Sequence, residues 1–192
     1  MAEPEALEKP SLEAAVVKLG AELARLPPGP LAELRRARPG EGVASFWRLY
    51  HARHLATQPG GDEGWEWVVT ALALLTPTGN DPDKRGAHDA ANSLGQALFD
   101  ADVSALRVAK ILNSPLPQRR DALLRAVRVL ARKNARFDTR ELARLLLGAD
   151  RSANPLRLLA SGFYAAEAAA ERANGANSND PQSDDSSEDS DV

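Results

Sequence analysis

No cysteine occurs among the 192 residues. That absence excludes disulfide staples, thiolate nucleophiles and cysteine-ligated metals. Long apolar runs are missing too. The most apolar segment, Trp65 to Leu75, is too short to cross a bilayer. The opening stretch, MAEPEALEKP, is acidic and holds no apolar core for a signal peptide, so the expected compartment is the cytoplasm. β-Branched residues are sparse, while alanine, leucine and arginine dominate, which predicts helices throughout. There is neither a Walker sequence nor a G-x-G-x-x-G fingerprint.

What resembles metal chemistry is thin. His51 and His54 form an H-x-x-H pair on a predicted helix, but no third ligand is in view, and two polar-edge histidines are the plainer reading. Asp81, Asp83 and Gly86 resemble the opening of a calcium loop. Its fifth position is Arg85 and its twelfth Asn92, where an EF-hand needs oxygen ligands, so a calcium loop is rejected. No metal, cofactor or catalytic residue is expected, and the chain does not read as an enzyme.

What is abundant is arginine, and it is concentrated. From Val103 to Leu145 eleven Lys or Arg stand against three acids, Asp121, Asp138 and Glu141. At 100° per residue, Leu123, Leu124, Val127, Leu130 and Ala131 share one arc of a helix. Arg125, Arg128, Arg132 and, if the helix reaches it, Arg136 centre on the opposite arc. A second helix places Leu142, Leu145 and Leu146 on one side and Arg140 and Arg144 on the other. A basic stripe is often only a solvated face. Here Glu is nearly absent at i±4, unlike a salt-bridge-laced surface helix, and guanidiniums one turn apart suit a polyanion of regular charge spacing. With aromatics at 5% and most of them at core-like positions, contact with a nucleic-acid backbone is expected, without base reading.

The formal net charge of −3 conceals this polarity. Residues 173–192 hold six acids, Asp180, Asp184, Asp185, Glu188, Asp189 and Asp191, and no base beside them. Removing those six from the chain's 27 acids leaves 21 against 24 bases, a body of charge +3.

In chain order, Ser11 caps a helix to about Leu26, and Pro30 opens a short one, LAELRRAR, closed by Pro39-Gly40. Val43 to about Ala56 follows. Next comes a helix capped by Asp62 that is apolar nearly all round, read as the centre of the core. Residues 76–86 read as a long loop. Helices are then expected over about 87–99, 105–113 (capped by Ser104) and 118–134. Asp138 and Glu141 form a capping box with Phe137 and Leu142 at the staple positions; Gly148 stops that helix, and Asn154-Pro155 begins the last. From about Asn174 the sequence lacks apolar periodicity and reads as disordered. The expectation is an all-α protein of about nine helices in two small bundles, 1–80 and 81–173, with an acidic tail over 174–192.

Leu34-Arg35-Arg36-Ala37 near a Pro-Gly turn, followed by Phe46-Trp47-Arg48-Leu49, is similar to the N-terminal signature of the CasB family, the small subunit of the type I-E CRISPR surveillance complex, Cascade. The second half has the same rhythm: Leu98-Phe99, Ser104, Leu106-Arg107, Ile111-Leu112, the basic helix, Phe137-Asp138, Leu142-Ala143 and Phe163-Tyr164. The resemblance spans about 11–166. It implies an all-helical, non-catalytic protein whose copies assemble head to tail along the belly of Cascade. There they help hold the guide RNA–target DNA hybrid and the displaced strand. Other Cascade subunits and a second copy are the implied protein partners. The family's basic positions fall on Arg35, Arg36, Arg107, Lys110, Arg119, Arg120, Arg125, Arg128, Arg132, Arg136, Arg140 and Arg144. Lys110 and Ile111 stand where an Arg-rich turn is usual, and the acidic tail has no counterpart in the pattern. A free-standing nucleic-acid-binding protein and a helical adaptor for an acidic partner are the competing readings.

Overall fold

In a computed structural model of the chain, residues 11–77, 86–148 and 154–177 are described, the side chains of 175–177 excepted. Among them are nine α-helices and no strand. The expected calcium-loop mimic at Asp81 and Asp83 and the acidic residues of the tail lie outside the described residues.

The helix at the centre is α4 (Gly61–Leu75), and its sequence GDEGWEWVVTALALL explains why. Apolar residues occur on every side, so the helix is stable only when covered all round. Trp65, Val68, Val69, Ala71 and Ala73 are buried. The cover comes from α1 (Leu12–Leu23), α2 (Pro28–Arg36) and α3 (Ala44–Ala52) on the N-terminal side, and from α7 (Leu116–Arg132) and α8 (Thr139–Leu147) on the other. One cluster of buried side chains therefore runs from Ala15 in α1 to Phe163 in α9 (Pro155–Asn177).

Local chemistry sets the ends. Ser11 accepts from the Ala14 amide at 3.2 Å and caps α1, which stops at Leu23, short of the expected Leu26. Pro28 and Pro30 occupy the first turn of α2, where a missing N–H costs nothing, so α2 begins earlier than its apolar pattern indicates. At Gly60, φ is +107° and a Cβ would lie 2.4 Å from Leu147 Cδ2. That residue, rather than Asp62, sits at the N-cap of α4, and Asp62 lies within its first turn.

The Ala-rich stretch expected to be helical from 87 becomes helical only at α5 (Leu94–Asp100). Residues 86–92 are held instead by distant backbone. Phe137 donates to Ala87 O at 3.0 Å, Asp89 donates to Phe137 O at 2.9 Å, and Asp138 donates to Asn92 O at 2.7 Å. The capping box at 138–141 is half formed. Asp138 accepts from the Arg140 amide at 3.0 Å, whereas Glu141 turns to α5 and accepts from the Leu94 amide at 2.8 Å. Burial pushes the Glu141 carboxyl above its ordinary pKa.

Glycine against glycine lets α5 and α9 cross. A Cβ on Gly95 would lie 2.4 Å from Leu159 O and 2.6 Å from Phe163 N, and one on Gly162 would lie 3.3 Å from Gly95 Cα. The last helix, α9, runs to Asn177, beyond the expected start of the tail at 174. The remaining helix, α6 (Ala105–Asn113), buries Val108 and Ile111 and packs along α7.

Candidate nucleic-acid interface

Helix α7 presents the stripe its sequence predicts. Leu123, Leu124, Val127 and Leu130 are buried, and Arg125, Arg128 and Arg132 are exposed on the other side. Beside it, α6 buries Val108 and Ile111 and exposes Arg107 and Lys110. Between the two helices lies a groove of about 480 Å³. Its floor is apolar, from Val103, Ala122, Ala126 and Val129, and its walls are those five cations; no acidic side chain lines it. Among the described residues none of the five is in an ion pair.

A second depression, of about 420 Å³, lies across α7 and shares Arg125 and Arg128. Its far wall is the end of α2 and the turn after it, with Arg36 and Arg38. Arg36 is exposed, its Nε on its own helix at Ala32 O, 3.1 Å away. Arg38 was not singled out in sequence. The available signal is its place at the end of Arg35-Arg36-Ala37-Arg38, just before Pro39-Gly40. Two contacts fix this wall. Glu66, buried in α4, accepts from the Gly40 amide, and Glu41 accepts from the Arg38 amide at 2.9 Å.

Other arginines expected at the site serve the fold. Arg35 points inward: its Nε donates at 2.8 Å to Ala73 O, which the Thr76 amide also approaches at 3.3 Å, and its guanidinium reaches Thr76 O just past the end of α4. Burial lowers the Arg35 pKa from its ordinary value. Arg120 is 8% exposed; it donates to Leu146 O at 2.8 Å and to Glu63 Oε1 at 2.7 Å. Arg119 is partly covered, and its Nε is buried without a hydrogen-bond partner.

Arg136 leaves the stripe because α7 ends at Arg132 and the chain turns through Asn134, whose φ is +50°. Its guanidinium lies 3.3 Å from His88 O, beside a different cavity. Arg140 grips Asp138 with two bonds of 2.7 Å. Burial alone would raise the Asp138 pKa, but the hydrogen bonds and charge of Arg140 outweigh it and hold the carboxyl below its ordinary value. Arg144 reaches Glu13 of α1 at 2.8 Å, and that hydrogen bond lowers the Glu13 pKa.

The two histidines of the H-x-x-H pair diverge. The His51 ring stacks on Trp47 at 6.0 Å between centroids, and His54 sits in a left-handed conformation past the end of α3.

The match with known proteins follows the same outline. The family model of CRISPR-associated protein Cse2 matches residues 30–164. The chain belongs to the Cse2, or CasB, family. This is a family of CRISPR Cascade subunits. The crystal structure of M. ruber CasB superposes with a TM-score of 0.61 at 23% identity, covering 85% of this chain and 98% of that one. At that identity the likeness establishes the fold. No curated protein matches the chain. Among the described residues no helix is long and apolar enough to cross a membrane.

Proposed function

We propose that this Cse2-family chain is a non-catalytic, cytoplasmic subunit of a type I-E Cascade complex that holds a nucleic-acid strand by its phosphates along the α6–α7 groove. The observation that carries this reading is the groove itself. Five cations, Arg107, Lys110, Arg125, Arg128 and Arg132, line one channel with no carboxylate among them. Exposed cations without acidic partners repel one another, and a polyanion relieves that repulsion while releasing its own counterions.

Arg36 and Arg38 continue the same surface, so its two walls come from the two halves of the chain, 1–80 and 81–173. Arg119 borders it. The nucleic acid the chain helps hold is the guide RNA–target DNA hybrid and the displaced DNA strand, and the protein partners are other Cascade subunits and a second copy. Arg35 and Arg120 support the surface from behind, and Arg136, Arg140 and Arg144 are engaged elsewhere; none of the five belongs to the contact set.

Changing Arg125, Arg128 and Arg132 together to Ala tests this. Affinity for single-stranded DNA should fall for every sequence alike. The slope of log K against log salt should flatten by about 0.7 per lost contact, about 2 in all. Helix content should hold, because Ala favours the helix and the face is exposed. Unchanged affinity and slope would reduce the stripe to a solvated face.

A further inference from the structure

Two tryptophans two residues apart in α4 meet opposite fates. Trp65 is fully buried, whereas Trp67, some 200° round the helix, is only partly covered and lines the depression it shares with Arg36, Arg38, Asp121, Arg125 and Arg128. The composition alone pointed to a backbone-only contact. The fold instead sets one indole into the cationic surface, between α2 and α7. Trp47, by comparison, is engaged with Phe46, Tyr50 and His51, while Trp67 is in no ring–ring contact among the described residues.

We propose that Trp67 is a stacking platform for one unstacked nucleobase, and that it makes the basic surface favour single-stranded over double-stranded nucleic acid. The proposal rests on the phosphate-tracking reading and deepens it. A strand following the five cations of the α6–α7 groove passes the ridge of Arg125 and Arg128, the two residues common to both depressions. On the far side it meets Trp67, in a depression that four guanidiniums also line. The space, about 420 Å³, falls within the range of roughly 300–1,000 Å³ usual for small-molecule sites, enough for a base to enter. Asp121 strengthens the assignment. A carboxylate repels phosphate but accepts from the N–H groups of bases, the N3–H of thymine included, so this depression suits a base better than a second phosphate. A base inside a duplex is already stacked and paired, and its face is out of reach.

The test uses the full chain and fluorescence anisotropy. The probes are an oligothymidine, the same oligomer with its central nucleotides abasic, and a duplex, each across a salt series. Stacking by one base is worth about 1–3 kcal/mol. Trp67→Leu, which keeps an apolar filler against the core, should therefore weaken oligothymidine binding about tenfold. Trp67→Phe should restore most of the loss. The salt slope should not change, and the abasic strand and the duplex should bind the wild type and Trp67→Leu alike.

If Trp67→Leu fails to fold, quenching decides. In a Trp47→Phe background, with Trp65 buried out of reach, oligothymidine should quench Trp67 emission and the abasic strand should not. Equal losses for base-bearing and abasic strands, or equal quenching by both, overturns the proposal. The two readings fail differently. Loss of stacking alone leaves salt-dependent binding that is blind to bases, whereas failure of phosphate tracking leaves binding indifferent to Arg125, Arg128 and Arg132.

Discussion

Replacing Arg120 separates the arginines that build the surface from those that contact a ligand. In sequence Arg120 belongs to the basic run, and in the fold it bridges three helices. Its Nε donates to Leu146 O, a carbonyl in the last turn of α8 with no partner in its own helix, and its terminal nitrogen reaches Glu63 in the first turn of α4. Arg120→Ala leaves that carbonyl unsatisfied, at about 1–3 kcal/mol. It also removes two buried methylenes beyond Cβ, about 0.8 kcal/mol each. The ion pair itself adds little, under about 1 kcal/mol, because the Glu63 side chain is 70% exposed.

The expected cost is thus about 4 kcal/mol, read as a fall in the denaturant midpoint at constant m value and a drop in Tm of about 10 °C. Arg120→Met keeps the stem and should recover the packing part. In both variants, measured well below their melting temperatures, the salt slope of DNA binding should match the wild type. An unchanged midpoint, or a slope flattened by about 0.7, would mean that Arg120 reaches a phosphate and that its bonds to α4 and α8 are incidental.

Two further outcomes follow from the packing and the ion pairs. Gly95→Ala puts a methyl into the backbone of α9, which cannot yield as a side chain would, and should cost about 3 kcal/mol in chemical unfolding; a loss below about 1 kcal/mol would mean that α5 and α9 sit farther apart. Arg140 holds the Asp138 pKa below its ordinary value of 3.8, so this contribution to stability is present above that value and is lost as pH falls through the lowered one. The stability advantage of the wild type over Asp138→Asn should therefore be full near about pH 6 and shrink below about pH 4, and a constant difference across that range would refute the linkage.

The helices were legible where periodicity and caps agree, as in α7, whose buried leucines alternate on schedule with exposed Arg125, Arg128 and Arg132, and in α8, whose leucines are buried opposite a half-buried Arg140 and Arg144. They were misplaced where long-range backbone pairing takes over. The alanines of 87–91 favour a helix in isolation, but Phe137 and Asp138 bond the backbone of Ala87, Asp89 and Asn92 across a bridge at His88, and Ser93 begins the helix by capping Gln96 at 3.1 Å. Glu141 looked like the second half of a local capping box, yet its acceptor serves a helix some 47 residues earlier in the chain.

The site shows the same limit. Scanning i±4 for neutralising acids sees only one helix. The partners of Arg120 and Arg144 are Glu63 and Glu13, separated by 57 and 131 residues. A charge excess counted along the chain therefore overstates the free charge on the surface. Trp67 was hidden for the converse reason: a helix apolar all round gives no sequence signal for which of two tryptophans faces the gap between its neighbours.

The buried arginine of α2 shows how the surface and the core depend on each other. Desolvating a guanidinium is unfavourable, and the lowered pKa of Arg35 records it. The offset is that Arg35 donates to Ala73 O and Thr76 O at the end of α4, and in doing so ties the last turn of α2 to α4. Glu66 ties the following turn to the same helix through Gly40. Arg36 and Arg38 are thereby set beside Trp67, while Leu124 and its neighbours seat α7, with Arg125 and Arg128, on the other side. The second depression exists only while both walls are closed on α4, since neither half of the chain holds it alone. A strand lying across both walls binds the closed fold and not its opened forms, so it stabilises the fold in proportion to its own affinity. In the proposed function Arg35 is therefore a positioning residue, acting through the placement of Arg36 and Arg38 and without a phosphate of its own.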